Sequence, residues 1–219
     1  MTEADVLAAL GTVYDPELDE PITALKFVAS CEVTDSGAVD VHLRLPTPQC
    51  APNFAFLMAA DARDAVRAVA GAGEVTIVLD GHYTGTEINR AVANDEGFDG
   101  AFPGEVEGEL DALRTLFRRK ALVARQGRLL EAAADPAAAR LGELEGSDAE
   151  RCRELRRELG IDASDDAPAF VRGDGTPVPA AELARFARMA SLTAISLEAN
   201  GGVCRSLLQV RYGIEEVAA

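Results

Sequence analysis

The chain has 219 residues, enough for one or two domains, and 48% of them are hydrophobic, enough to bury a sizeable core. Its 37 Asp and Glu against 21 Lys and Arg give a formal charge of -16, which opposes binding to nucleic-acid phosphates. With only His42 and His82 a three-histidine zinc site is excluded, and Cys31, Cys50, Cys152 and Cys204, lacking any Cys-x-x-Cys pair, disfavour a zinc ribbon or a self-contained four-thiolate cluster.

The N-terminus is acidic where a signal peptide is basic, and no apolar run approaches the roughly 18 residues of a membrane span. A cytoplasmic chain with free thiols and no membrane or nucleic-acid partner is expected. Val6, Leu7, Leu10 and Val13 recur at helical spacing and predict a first helix, stopped by Asp15-Pro16. Leu25 to Val33 and Ala38 to Leu45 read as strands joined by a Thr34-Asp35-Ser36-Gly37 turn, the second alternating Val39, Val41 and Leu43 with Asp40, His42 and Arg44. An amphipathic helix follows over Asn53 to Val69, then a strand over Glu74 to Leu79. The order α-β-β-α-β contains a strand-helix-strand crossover.

Residues 94 to 108, rich in Gly, Pro and acidic residues, read as a linker between a domain at 1–93 and a second at 109–219. The second domain is expected to be mainly helical. A helix spans Glu109 to Ala133, and Ser147-Asp148-Ala149-Glu150 is a capping box opening another. A short hairpin surrounds Gly173-Asp174-Gly175, and a helix covers Pro179 to Ala190. Ser191 to Asn200 leans to strand on its Thr and Ile content, and Asn200-Gly201-Gly202 reads as a break before a terminal helix. The basic runs Arg118 to Lys120 and Arg151 to Arg157, with Glu109, Glu154 and Glu158 nearby, read as solvated helix faces. The fold class is α+β.

Two segments carry candidate chemistry. In Leu45-Pro46-Thr47-Pro48-Gln49-Cys50-Ala51-Pro52 three prolines stiffen the turn that enters the long helix. A cysteine there either meets unpaired N–H groups at the positive helix end, which favour the thiolate that binds metal or attacks electrophiles, or is a structural cysteine buried near the helix cap. Asp15-Pro16-Glu17-Leu18 offers carboxylates in a constrained loop, either as iron ligands or as turn residues. His82 is expected in a surface loop, within reach of Cys50 on one alternative, and His42 facing solvent. Cys31 is expected to pack in its strand, and Cys204 to lie at a helix start, packed or activated.

Together the first helix, the Asp-Pro-Glu-Leu loop (Asp15 to Leu18), the two strands, the Thr-Pro-x-Cys turn (Thr47, Pro48, Cys50), the helix and the Glu74 to Leu79 strand resemble the iron–sulfur cluster assembly domain of PaaD-like and SufT-like proteins, over residues 2 to about 83. The resemblance implies a non-enzymatic accessory factor that assists iron or iron–sulfur cluster delivery to a client metalloprotein, with a multicomponent oxygenase as the narrower expectation. It implies that Cys50 is the reactive cysteine, that Asp15, Pro16 and Glu17 form the family's acidic motif, and that Thr47 and Pro48 hold the turn. The ligand set expected is Cys50 with Asp15, Glu17 and His82. One thiolate per chain cannot complete a four-ligand cluster, so the site is expected to be transient and shared, through a homodimer, a client ligand or a small thiol. The alternatives are an interaction adaptor using the domain as a scaffold, and a thiol enzyme.

Overall fold

The computed structural model describes residues 1–104 and 107–214, with side chains throughout except at 107–109. Residues 105 and 106 of the linker segment, and the Glu109 side chain, lie outside the described residues. The chain forms two compact units, Met1–Asp111 with Gly201–Ala219, and Ala112–Asn200.

In the first unit helix α1 (Glu3–Leu10) is opened by a reciprocal cap: Thr2 Oγ1 accepts from the Asp5 N–H at 3.3 Å and the Asp5 carboxylate accepts from the Thr2 N–H at 2.7 Å. Asp15, read as a helix stop, belongs instead to a two-rung antiparallel ribbon of β1 (Tyr14–Asp15) and β2 (Glu20–Pro21). The next strand starts later than its apolar run suggests. Lys26 has φ 61°, and Leu25 and Phe27 donate back to the carbonyls of Pro21 and Ile22, so the chain is still turning until β3 (Val28–Val33).

β3 pairs antiparallel with β4 (Val39–Arg44), and β4 pairs parallel with β5 (Val75–Asp80) after the crossover through α2 (Pro52–Arg67). The alternation in β4 has its expected result: Val39, Val41 and Leu43 are buried, while Asp40, His42 and Arg44 are half-buried. Those apolar residues meet Leu57, Ala62 and Val66 of α2 in one core with Val6, Leu10, Ile22 and Leu25. A further short helix, not read from the sequence, α3 (Gly85–Ala93), buries Ile88, Ala91 and Val92. Its Asn89 side chain pairs with both the N–H (2.8 Å) and the carbonyl (3.2 Å) of Leu79, serving β5 as a strand neighbour would. Within the glycine-rich segment a short helix, α4 (Phe98–Ala101), sets Phe98 edge-on to Phe56 at 5.4 Å.

The boundary between the units falls within two long helices, α5 (Glu107–Ala132) and α7 (Leu183–Tyr212). In the second unit Leu122 and Leu129 of α5 pack with Cys152 and Leu155 of α6 (Ser147–Glu158) and with Phe170 and Val171. The short hairpin is present as a bridge between Val171 and Pro177. Gln126, fully buried, accepts from the Val171 N–H at 2.7 Å and donates to its carbonyl at 3.0 Å.

Four expectations for this half fail. Residues 191–200 are helical, not extended; Leu192 and Ile195 are exposed, so the apolar residues there marked no buried face. Gly201-Gly202 does not break the helix either. Glycine costs a helix about 1 kcal/mol, which tertiary contacts readily offset, and a Cβ on Gly201 would stand 3.0 Å from Glu20 Oε1. Ser147 is the first helical residue rather than the cap, which is Gly146. Finally, Arg151 and Arg156 are buried rather than solvated; Arg156 donates to the carbonyls of Asp162, Pro168 and Ala169 and so ties that loop to α6. Among the described residues no helix is long and apolar enough to cross a membrane.

Candidate functional site

The turn from β4 into α2 is fixed from inside and outside. Inside it, Thr47 Oγ1 accepts from the Gln49 N–H at 3.1 Å and lies 3.6 Å from Cys50 Sγ. Pro52 occupies the first helical turn, where its missing N–H costs nothing, and Ala51 is the N-cap without a side chain to satisfy the helix end. Asn53 Oδ1 takes one of these donors, the Phe54 N–H, at 2.9 Å. Cys50 immediately precedes this end and packs half-buried against the core.

From outside, the segment after β5 straps the turn down. His82 Nε2 donates to the Cys50 carbonyl at 2.7 Å, and the Tyr83 N–H donates to the Pro48 carbonyl at 3.1 Å. A carbonyl can only accept, so the ring proton is on Nε2; Nδ1 then accepts from the Thr84 N–H at 3.3 Å. His82 is buried, not a surface-loop residue as its glycine neighbour suggested. Its two nitrogens hold backbone, and to ligate a metal it would first have to give up one of these bonds.

The carboxylate loop is built on the β1–β2 ribbon. Asp15 Oδ1 accepts from the N–H groups of Glu17 and Leu18, both at 2.9 Å, while Oδ2 has no hydrogen bond among the described residues. Asp15 is only 8% exposed. Burial pushes its carboxyl up to about 6; the two N–H groups pull the other way, and the nearby Glu17 and Glu20 charges add to the rise.

The C-terminal turns of α7 reach the same place. Arg205 forms an ion pair with Glu20, its Nη1 at 2.8 and 3.1 Å from the two carboxylate oxygens. Arg211 donates to the carbonyls of Leu45 (3.1 Å) and Gly81 (2.8 Å), the chain positions just past β4 and β5. Leu208 is buried in the core. Cys204, on this helix face, is half-buried, and its thiol is pushed up to about 11, by burial first, then by Asp15, Cys50 and Glu17, against the pull of Arg205.

Asp15, Glu17 and Cys50 are thus electrostatic neighbours of a second cysteine that sequence reasoning assigned to another domain. The missed signal was the face formed by positions 201, 204, 205, 208 and 211, concealed by the apparent glycine break. Cys31 is buried in β3, as expected, and Cys152 in the other core. His42 stands apart, its Nδ1 2.8 Å from Asp80 and its Nε2 3.1 Å from Asp40. Among the described residues no three His, Cys, Asp or Glu side chains are gathered closely enough to hold a metal ion. The donor types nevertheless suit iron, for which thiolate and carboxylate are common ligands.

A small α/β domain with an antiparallel hairpin, a parallel crossover and a cysteine at the crossover's helix entrance defines the class. Residues 3–77 match the family model described as iron–sulfur cluster assembly protein. An uncharacterized protein of Methanocaldococcus jannaschii is 33% identical over 96 residues, 44% of this chain and 99% of the relative. The chain belongs to the iron–sulfur cluster assembly protein family, through its N-terminal segment. No solved structure matches it significantly.

Proposed function

We propose that the protein is an accessory factor of metalloprotein maturation that carries iron or an iron–sulfur cluster to a client, with Cys50 as the thiolate that takes the cargo and Asp15 and Glu17 as assisting carboxylates. The observation that carries this reading is the match of residues 3–77 to the iron–sulfur cluster assembly family, a segment that includes both the Asp15–Leu18 loop and the Cys50 turn at the entrance of α2. A carrier has to release what it binds, and an incomplete ligand set suits release. The missing ligands come from the client, a small thiol or a second copy of the chain. Pro16, Thr47 and Pro48 shape the two loops, and His82 supports the turn by holding the Cys50 carbonyl.

The action is placed in a reducing cytoplasm, where the four free cysteines stay thiols. An oxygenase component is the client this reading favours. Anaerobic reconstitution with iron and sulfide, followed by metal and sulfide analysis, tests the assignment. Wild type is expected to take up iron that Cys50→Ala does not; equal metal in both would remove Cys50 from the site.

A further inference from the structure

We infer that Tyr83 and the uncharged rim beside it form the surface on which the cargo's acceptor docks, the acceptor being an apo metalloprotein with free cysteine ligands. This rests on the reading of Cys50 as the cargo thiolate. Handing cargo over is a ligand exchange: an acceptor thiol gives up its proton and bonds the metal, the bond from the metal to Cys50 breaks, Cys50 takes a proton, and no electron changes hands. The acceptor therefore has to come within bonding distance of what Cys50 holds, and the exposed residues around Cys50 are the ones it meets.

Those residues are uncharged, in a chain of net charge -16. Pro48, Gln49 and Ala51, on either side of the half-buried Cys50, are exposed, and so are Gly81 and Tyr83 on the segment strapped to the turn. Arg211, which reaches this rim, is bonded there to the main-chain carbonyls of Leu45 and Gly81. The centre of a protein–protein interface is poor in charge and rich in tyrosine. Among the described aromatic side chains Tyr83 alone is exposed, at 56%.

Tyr83 is also held ready for a partner. Its N–H donates to the Pro48 carbonyl at 3.1 Å, and its ring lies tilted against that of His82 with centroids 5.0 Å apart. His82 in turn donates from Nε2 to the Cys50 carbonyl at 2.7 Å. Backbone and ring thus both tie the tyrosine to the cysteine turn. A large side chain with two rotatable bonds that is already placed loses little freedom on binding, and this is what lets an aromatic anchor contribute strongly. Tyr83 lies outside residues 3–77, so the docking residue is not supplied by the matched family segment.

The test follows transfer from the full-length protein, loaded anaerobically with iron and sulfide and freed of the excess, to an apo two-iron ferredoxin at a series of acceptor concentrations, read by visible circular dichroism. Tyr83→Ala is expected to take up as much iron as the wild type, to need about tenfold more acceptor for its half-maximal rate, and to reach the same limiting rate. Tyr83→Phe, which keeps the ring, is expected to recover most of the difference. Leu116→Ala, which alters an apolar residue of the other unit with a similar exposure of 53%, is expected to leave the acceptor dependence unchanged. Wild-type acceptor dependence in Tyr83→Ala overturns the docking surface and leaves Cys50 standing, as does an equal shift in Leu116→Ala, which would report unspecific adhesion. Lost iron uptake in Tyr83→Ala overturns it too, since the residue would then serve the turn itself. A wild type that takes up no more iron than Cys50→Ala overturns the reading of Cys50, and the docking surface with it.

Discussion

Replacing His82 with alanine removes the side chain that ties the segment after β5 to the cysteine turn. Three polar groups lose a partner, the Cys50 carbonyl and the Thr84 N–H and hydroxyl. Leaving a buried polar group unsatisfied costs about 1–3 kcal/mol. Cys50 and Thr84 are both half-buried, so water replaces part of what is lost and the combined cost is about 2 kcal/mol. Two compact units make a single global unfolding transition a poor reporter, and a local one is needed. Amide hydrogen exchange at Tyr83, whose N–H donates to the Pro48 carbonyl, supplies it. A local loss of about 2 kcal/mol corresponds to roughly 30-fold faster exchange there. His82→Gln, able to donate to the Cys50 carbonyl, should recover part of the protection. Exchange at Tyr83 unchanged within about twofold in His82→Ala would refute the strap, since so small a change is worth under ~0.5 kcal/mol.

Asp15, with its carboxyl raised to about 6 from an ordinary 3.8, holds its proton more tightly in the fold than in the unfolded chain. Stability is therefore expected to fall by about 3 kcal/mol as the pH rises through that window, and Asp15→Asn to flatten the fall in urea midpoints; an equal slope in the variant would remove Asp15 as its source. Arg211→Met leaves the Leu45 and Gly81 carbonyls to solvent, at a cost of about 2 kcal/mol. It should speed proteolysis within residues 201–212, while Arg211→Lys, able to keep one of the two bonds, should fall between; a wild-type cleavage pattern in Arg211→Met would contradict the anchor. His42, bonded to Asp80 and near Asp40 and Glu32, is raised above its ordinary 6.5, so its support of the fold is complete below that value and fades as the pH passes the folded one. Proton NMR should find its midpoint above 6.5, moving down in Asp80→Asn; a midpoint unmoved by that change would sever the link.

The parallel crossover was legible because β4 is buried on one face and α2 on one stripe, so period and burial agree. The turn that carries Cys50 was legible for a related reason, since prolines announce a stiff turn wherever it lies in the fold. α3 carries the same kind of stripe, Ile88, Ala91 and Val92, and escaped notice only because it is short. The end of α7 was of another kind. Its glycines look like punctuation until Glu20, 185 positions away from Arg205, is seen to occupy the space a side chain on Gly201 would take. His82 is similar: nothing local tells that its ring is buried against the Cys50 carbonyl. Contacts of such separation have no local pattern, and they are what fastens the end of α7 to the acidic loop and to the start of the cysteine turn.

Cargo, unlike a resident cofactor, must leave. The most direct measurement loads the full-length protein anaerobically, removes free iron and sulfide, adds an apo iron–sulfur acceptor, and follows the acceptor's visible circular dichroism. Loss of iron from the protein matched by gain of cluster in the acceptor, and absent when Cys50→Ala is used as donor, is the result predicted. Iron that stays bound over the same period, or transfer at the wild-type rate from Cys50→Ala, would contradict a carrier built on Cys50.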